Sequence, residues 1–273
     1  MASWRKTAVV ALSAALLGGG GVAWAAGGAQ PRPAQTVHPA AAPIDASQES
    51  RYTPIAPCRI ADTRVKGGAL GAGVTRAFYV DGTGSVFGDQ GGHASGCGIP
   101  SAATAIAATV TAVGATGNGF MKVYPAGTAA PAATFLNDTK TFNISNSGSL
   151  TLCGSTCAAD INVSNYGSAA NVVIDVAGYY IKPMFAYIHE DGTLGQNSRV
   201  TSVNRVGGAA SPYRVFFDRD VSQCSFSITT DYQGMGDAAE SVAGDGHGVY
   251  VMIWTTPDHN QWGDASFYLT VTC

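Results

Sequence analysis

Short runs of apolar and β-branched residues recur along the chain from residue 51 to its end. They are rich in Val, Ile, Thr, Phe and Tyr, and clusters of Gly, Asn, Asp and Ser separate them, which is typical of β-strands and their connections. No segment keeps an apolar stripe at helical spacing over three turns. We therefore predict an all-β fold, with strands that include residues 78–80, 105–113, 120–124, 161–164, 171–176, 213–217, 225–230, 249–254 and 266–272.

The composition changes after residue 183. The run Tyr179-Tyr180-Ile181-Lys182-Pro183 closes a strand at a proline, which cannot donate to a strand ladder. Beyond it Ala and Gly become rarer and Arg and Asp more frequent. The length after the linker suits either one large sandwich or two smaller ones. The proline and the change in composition favour two β-sandwich-like modules, residues 51–183 and 184–273.

Residues 1–25 have the pattern of a secretory signal peptide. Arg5 and Lys6 are their only charges, an apolar stretch follows, and Ala23-Trp24-Ala25 supplies the small-x-small pattern before a cut after Ala25. The alternative is an uncleaved anchor helix, but the glycines at 18–21 weaken a helix there. We expect a secreted, extracellular protein with no membrane span in the mature chain.

Residues 26–50 are predicted to form a disordered linker. They consist largely of Ala, Pro and Gln, and four prolines interrupt any helix or sheet.

The charge balance excludes two classes of partner. Removal of Arg5 and Lys6 changes the formal net charge from −3 to −5. The sequence has no cluster of Lys and Arg of the kind that binds nucleic acid or an anionic membrane surface, so we expect neither as a partner.

Six cysteines in an exported chain indicate three disulfides, although their number alone does not fix the pairing. Strand parity places Cys224 and Cys273 each on the apolar side of its strand, which favours a bond between them. Cys153 and Cys157 flank a Gly-Ser-Thr turn and suit a local bond. Cys58 and Cys97 remain as the third pair.

Two alternatives compete with these pairings. Cys153 and Cys157 resemble half of a metal site, but no His or second Cys pair is near. His93 lies close to Cys97 in sequence, as in a Cys/His nucleophile pair. Oxidation of a secreted cysteine with an available partner is the more economical interpretation.

Several motifs carry a resemblance to a known family. The chain reads YTPIAPCRIADTR at 52–64, continues with CGIPSAATAIAATVTAV, GFMKVYPAG and TFLNDTKTFNISNSGSLTL, and reads NVVIDVAGYY at 171–180. This resembles a β-rich module, P-C-R-x-x-D-T-R to D-V-x-G-Y-Y, of exported actinobacterial and other bacterial proteins. The family has no established biochemical role, and its occurrence beside secreted enzymes implies an accessory or surface role. Residues 184–273 look similar to a small C-terminal β module of bacterial secreted proteins.

Charged residues in these motifs suggest a structural network. Strand parity sets Asp175 among small apolar residues, where a carboxylate needs a partner. Arg64 and Arg59 are the candidates, and Asp62 is expected to join them in linking the first strand of the module to the last. The alternative is that Asp62 and Asp175 act as an acid/base pair or bind Ca²⁺, which needs a cleft or six or more oxygen ligands.

The sequence shows no catalytic motif of the common hydrolase, metalloprotease, phosphate-binding or dinucleotide-binding types. The pair of segments around His247 and Asp258-His259 is a weak candidate for a metal site, since the glycines beside His247 indicate a turn. We therefore expect no enzyme activity, no cofactor and no metal.

One binding hypothesis rests on aromatic residues near the C-terminus. If Val249, Val251 and Ile253 face a core, Tyr250 and Trp254 face the other side, and Trp262 lies in a polar loop. Aromatic rings among amides and carboxylates suit sugar stacking, whereas coverage by another sheet would leave them structural.

From the sequence, then, we expect a non-enzymatic structural or adhesive protein of the cell surface or extracellular space. The alternative is a module that binds cell-wall glycan or another polysaccharide through these C-terminal aromatics. The expected partner is a cell-wall glycan or another surface protein.

Overall fold

A computed structural model describes residues 49–82, 85–154, 157–205, 207, 212–231, 235–241, 245–254 and 263–273, and of residues 235–241 it describes the backbone. The signal peptide predicted for 1–25, the linker predicted for 26–50 as far as residue 48, and the candidate residues Asp258, His259 and Trp262 lie outside the described residues.

The fold is all-β, as predicted. Sixteen strands and one short helix, α1 at Ser85–Asp89, make up the described secondary structure. The strands are β1 Arg51–Asp62, β2 Thr75–Phe78, β3 Ala103–Val113, β4 Gly119–Pro125, β5 Leu136–Asp138, β6 Ile144–Thr151, β7 Ile161–Tyr166, β8 Asn171–Ile181, β9 Met184–Ile188, β10 Leu194–Ser198, β11 Val200–Arg205, β12 Tyr213–Phe217, β13 Ser225–Thr230, β14 Met235–Ser241, β15 Gly248–Trp254 and β16 Phe267–Thr272.

Two antiparallel sheets enclose the first hydrophobic core. Their strand orders are β1-β8-β3-β6 and β2-β7-β4-β5. Alternate residues of β3 point inward, so that Ile106 and Val110 are fully buried, and they meet apolar side chains from the other sheet such as Met121 and Val163. The arrangement is a sandwich in which the first and last long strands, β1 and β8, are direct neighbours.

Two further antiparallel sheets enclose a second, separate core. Their strand orders are β10-β9-β16-β13 and β11-β12-β15-β14. The rings of Tyr213 and Phe267 meet between the sheets, with centroids 5.1 Å apart in an edge-to-face arrangement. Every buried member of this cluster lies at or beyond Met184. The module boundary at 183/184 stays a prediction. Strand β8 ends at Ile181, before this boundary, and β9 begins at Met184, directly after it.

One strand lies earlier in the chain than predicted, since β2 spans Thr75–Phe78. Residues 78–80 were predicted to be a strand, but β2 ends at Phe78. The backbone N–H of Val80 donates instead to the carboxylate of Asp160, at 2.6 Å. The backbone of Val80 is thus hydrogen-bonded to a side chain, and not to the backbone of a neighbouring strand.

Three disulfides join Cys58 to Cys97, Cys153 to Cys157 and Cys224 to Cys273, the pairs expected from the sequence. Cys224 packs against the second core, but Cys273 is exposed, so the last bond lies at the edge of the core and not inside it. Disulfides of this number are typical of proteins that work in an oxidising, extracellular environment. Within the described ranges, no helix has the length and apolarity of a membrane span.

Candidate functional site

Four charged residues of the first sandwich, Arg59, Asp62, Arg64 and Asp175, form one charge network. The pairing of β1 with β8 places Arg59 directly opposite Asp175. Nε and Nη2 of Arg59 donate to the two carboxylate oxygens of Asp175 at 2.8 and 3.0 Å. The third nitrogen, Nη1, donates to Asp62 at 3.1 Å. Arg59 therefore joins both carboxylates and links the two strands.

Asp62 is the buried member of the charge network, with 3% of its surface exposed. Nε and Nη2 of Arg64 donate to its two oxygens at 2.9 and 2.6 Å, and the backbone N–H of Arg64 adds a bond of 3.1 Å. Hydrogen bonding by the Arg64 side chain lowers the pKa of Asp62. Because arginine N–H groups occupy these oxygens, the arrangement favours the structural interpretation over an acid/base pair or Ca²⁺ ligands.

One detail of the sequence interpretation needs correction, and one choice that it left open is decided. Asp175 is not enclosed by apolar side chains, because 37% of its side chain is exposed and the residues opposite it on β1 and β3 are Arg59 and Thr109. Its direct partner is Arg59, whereas Arg64 pairs with Asp62. Register shifts in β1 between Pro54 and Cys58 and between Arg59 and Ala61 alter which residues face each other, and simple alternation cannot anticipate them.

The alternatives built on cysteine and histidine are not supported by the geometry. Cys97 is in a disulfide and therefore has no thiol for a Cys/His pair. The ring Nδ1 of His93 lies 3.0 Å from the carbonyl oxygen of Gly96. Among the described residues no group of three or more His, Cys, Asp or Glu has an arrangement that could hold a metal ion.

The outer face of β15 carries the aromatic residues of the binding hypothesis. Val249, Val251 and Ile253 are buried in the second core, as the alternation predicted, and Tyr250 and Trp254 lie on the opposite face, where both are half-buried.

Tyr250 already has a partner within the chain. The guanidinium of Arg214 lies over its ring, 5.1 Å from the centroid, and also over the ring of Phe216 at 5.2 Å. We call Arg214, Phe216 and Tyr250 the arginine stack. The ring of Tyr250 is thus not the open stacking surface that the sequence hypothesis required.

A more open aromatic surface lies on the other sheet of the same sandwich. Strands β9 and β16 are neighbours and place Tyr187 directly opposite Tyr268. The two rings are 4.5 Å apart at 31°, and Tyr268 is 50% exposed. His189 meets the Tyr187 ring edge-on at 4.8 Å and is itself exposed. We call Tyr187, His189 and Tyr268 the tyrosine platform.

Polar and small neighbours hold the tyrosine platform in place. The hydroxyl of Tyr187 donates to the carboxylate of Asp231 at 3.0 Å. Gly195 on β10 leaves room for the ring, because a Cβ there would lie 2.7 Å from Cδ1 of Tyr187. Thr229, directly opposite Tyr268 on β13, is exposed beside it. The result is an aromatic centre with a polar rim.

The sequence contained part of the signal for this surface. Phe267, Leu269 and Val271 share the inward side of β16, so Tyr268 between them had to face outward. The sequence pattern did not predict that β16 pairs with β9. This pairing places Tyr187 beside Tyr268, although the two residues are far apart in the chain.

Comparisons with protein-family models, curated proteins and solved structures found no match to this chain.

Proposed function

We propose that the protein is an exported, non-enzymatic component of the cell surface or extracellular space that binds carbohydrate through its tyrosine platform. The observation that carries this proposal is the exposed Tyr268 ring paired with Tyr187 on the outer face of the second sandwich.

The chemistry of the tyrosine platform matches that of a sugar ring. A pyranose has an apolar C–H face and a rim of hydroxyls, and an aromatic side chain offers an apolar face with a polar edge. The carboxylate of Asp231 can accept hydrogen bonds from those hydroxyls, and the hydroxyl of Thr229 can donate or accept them. Tyr187 is held by Asp231 and Gly195 before any ligand arrives, which reduces the entropy lost on binding.

The structural part of the proposal rests on how the first sandwich is closed. The charge network and the Cys58–Cys97 disulfide both attach to β1, whose partner β8 ends the module. This arrangement supports a role outside the cell, because a disulfide on the first strand stabilises the folded module against unfolding.

The test is isothermal titration calorimetry of the purified exported chain with soluble neutral oligosaccharides, cellohexaose, laminarihexaose and chitohexaose. At least one is expected to bind, and Tyr268→Ala is expected to weaken that binding by roughly tenfold through loss of the stacking ring. Thr270→Ala is the matched control, since Thr270 is exposed on the same face of β16. Absence of binding to all three, or equal binding by Tyr268→Ala, would overturn the proposal.

A further inference from the structure

The second sandwich has two outer faces, one on each sheet. The tyrosine platform lies on one of them, and Arg214 lies on the other. Its chain neighbours Tyr213 and Val215 are buried in the core, so the Arg214 side chain points away from it. In the sheet it lies between Tyr250 on β15 and Asn204 on β11. The position is central in the described sheet and not at its edge.

The two aromatic rings of the arginine stack fix the guanidinium without using its hydrogen bonds. Arg214 Cζ lies 5.1 Å from the Tyr250 centroid and 5.2 Å from that of Phe216. Such stacking uses the flat faces of a guanidinium, while its N–H groups lie in the plane between those faces. The N–H groups of Nη1 and Nη2 therefore remain available to an acceptor that approaches edge-on.

Arg214 differs in this respect from four other arginines of the chain. Each of those four forms an ion pair with an aspartate: Arg59 with Asp175, Arg64 with Asp62, Arg199 with Asp218 and Arg205 with Asp264. In the part of the chain that the structure describes, no carboxylate pairs with Arg214, and its Nε is buried without an acceptor. Because Nε is buried, the two Nη groups are the donors that Arg214 can offer to an incoming ligand.

We propose that the arginine stack binds the carboxylate of an acidic sugar in a polysaccharide. The planar fork of a guanidinium matches a carboxylate with two parallel hydrogen bonds. Asn204 is opposite Arg214 and Ser202 is opposite Phe216 on β11, and both are exposed, so an amide and a hydroxyl are present for the sugar's own hydroxyls.

This inference rests on the proposed function for the choice of a sugar over an acidic peptide. The arginine stack and the tyrosine platform lie on opposite outer faces of one sandwich. An experiment can therefore disprove binding at one site without disproving binding at the other. If both bind, a single module contacts two polysaccharide chains, one neutral and one acidic.

The experiment measures binding of an oligogalacturonate and of its carboxyl-reduced, neutral counterpart to the purified exported chain at about 0.15 M salt. Wild type is expected to prefer the oligogalacturonate. Arg214→Gln is expected to weaken its binding about ten- to a hundredfold, because a charge-assisted bidentate contact is lost. Arg214→Lys should fail to restore it, since an ammonium cannot form the planar fork. Tyr268→Ala is the matched control and should leave this binding unchanged.

Three results would overturn the inference: no binding of the oligogalacturonate, equal binding of the reduced counterpart, or equal binding by Arg214→Gln with an unchanged unfolding midpoint. Binding of polyglutamate as tight as that of the oligogalacturonate, and equally dependent on Arg214, would replace the acidic sugar by an acidic peptide. If Tyr268→Ala loses binding of the neutral oligosaccharide but keeps binding of the oligogalacturonate, the two sites are independent.

Discussion

Arg59 and Asp175 face each other across β1 and β8, joined by two hydrogen bonds of 2.8 and 3.0 Å. The bond pattern is bidentate, the geometry in which an arginine and a carboxylate interact most strongly. Both side chains are nonetheless about two-fifths exposed, at 43% and 37%, so solvent screens their attraction.

A double-mutant cycle on Arg59→Ala and Asp175→Ala is expected to give a coupling free energy of about 0.5–1 kcal/mol, the range for exposed pairs of good geometry. Urea unfolding of the four proteins measures it. The matched control is the cycle on Arg64 and Asp175, two residues of the charge network that share no hydrogen bond among the described contacts. Coupling in the control as large as in the Arg59 cycle would show that the direct contact has no special role.

Asp62 is predicted to make stability depend on acid pH. Its folded pKa lies below the unfolded value because Arg64 hydrogen-bonds the charged form. The stabilisation is therefore present above the unfolded pKa, near pH 4, and is lost as pH falls through the lower folded pKa. At pH 7, Asp62→Asn should reduce the free energy of unfolding by about 2–3 kcal/mol.

Urea unfolding between about pH 7 and pH 2 tests this prediction. The difference between wild type and Asp62→Asn should shrink as the solution becomes more acidic. A difference that stays constant over this range would contradict the assignment of a lowered pKa to Asp62.

Asp138 is predicted to make stability depend on pH in the opposite direction. It is 5% exposed, and both of its carboxylate oxygens are buried without a hydrogen bond of normal geometry. Burial raises the pKa of Asp138, so the charged form is disfavoured in the folded state and stability is lost as pH rises through the raised pKa.

Asp138→Asn should therefore be more stable than wild type at pH 7 by about 1 kcal/mol, and the two should converge near pH 3. The midpoints of thermal unfolding at the two pH values measure this difference. A variant less stable than wild type at pH 7 would show that the carboxylate is stabilised in the folded protein.

Much of the fold could be predicted because strand alternation is a local property. The inward positions of Val249, Val251 and Ile253 followed from spacing alone. The same argument placed Cys224 and Cys273 on the apolar sides of their strands. This is confirmed for Cys224 but wrong for Cys273, which is exposed at the chain end.

The candidate sites depended on information that local spacing does not contain. Tyr187 and Tyr268 come together because β9 and β16 are adjacent, and Arg214 reaches Tyr250 because β12 and β15 are adjacent. Such pairings are set by the packing of whole sheets. In the first sandwich, the register shift of β1 between Pro54 and Cys58 places Arg59 opposite Asp175, where an unshifted strand would place Pro57, and Arg64 lies beyond the end of β1.

The central claim, carbohydrate binding by the tyrosine platform, is tested most directly by co-sedimentation of the purified protein without residues 1–25 with insoluble cellulose, chitin and isolated bacterial cell walls. We predict that wild type and Thr270→Ala sediment with at least one of these materials. The double variant Tyr187→Ala/Tyr268→Ala should remain in the supernatant while keeping its disulfides and a cooperative unfolding transition. Equal sedimentation of the double variant and wild type, or failure of wild type to sediment with any of the three, would contradict the account.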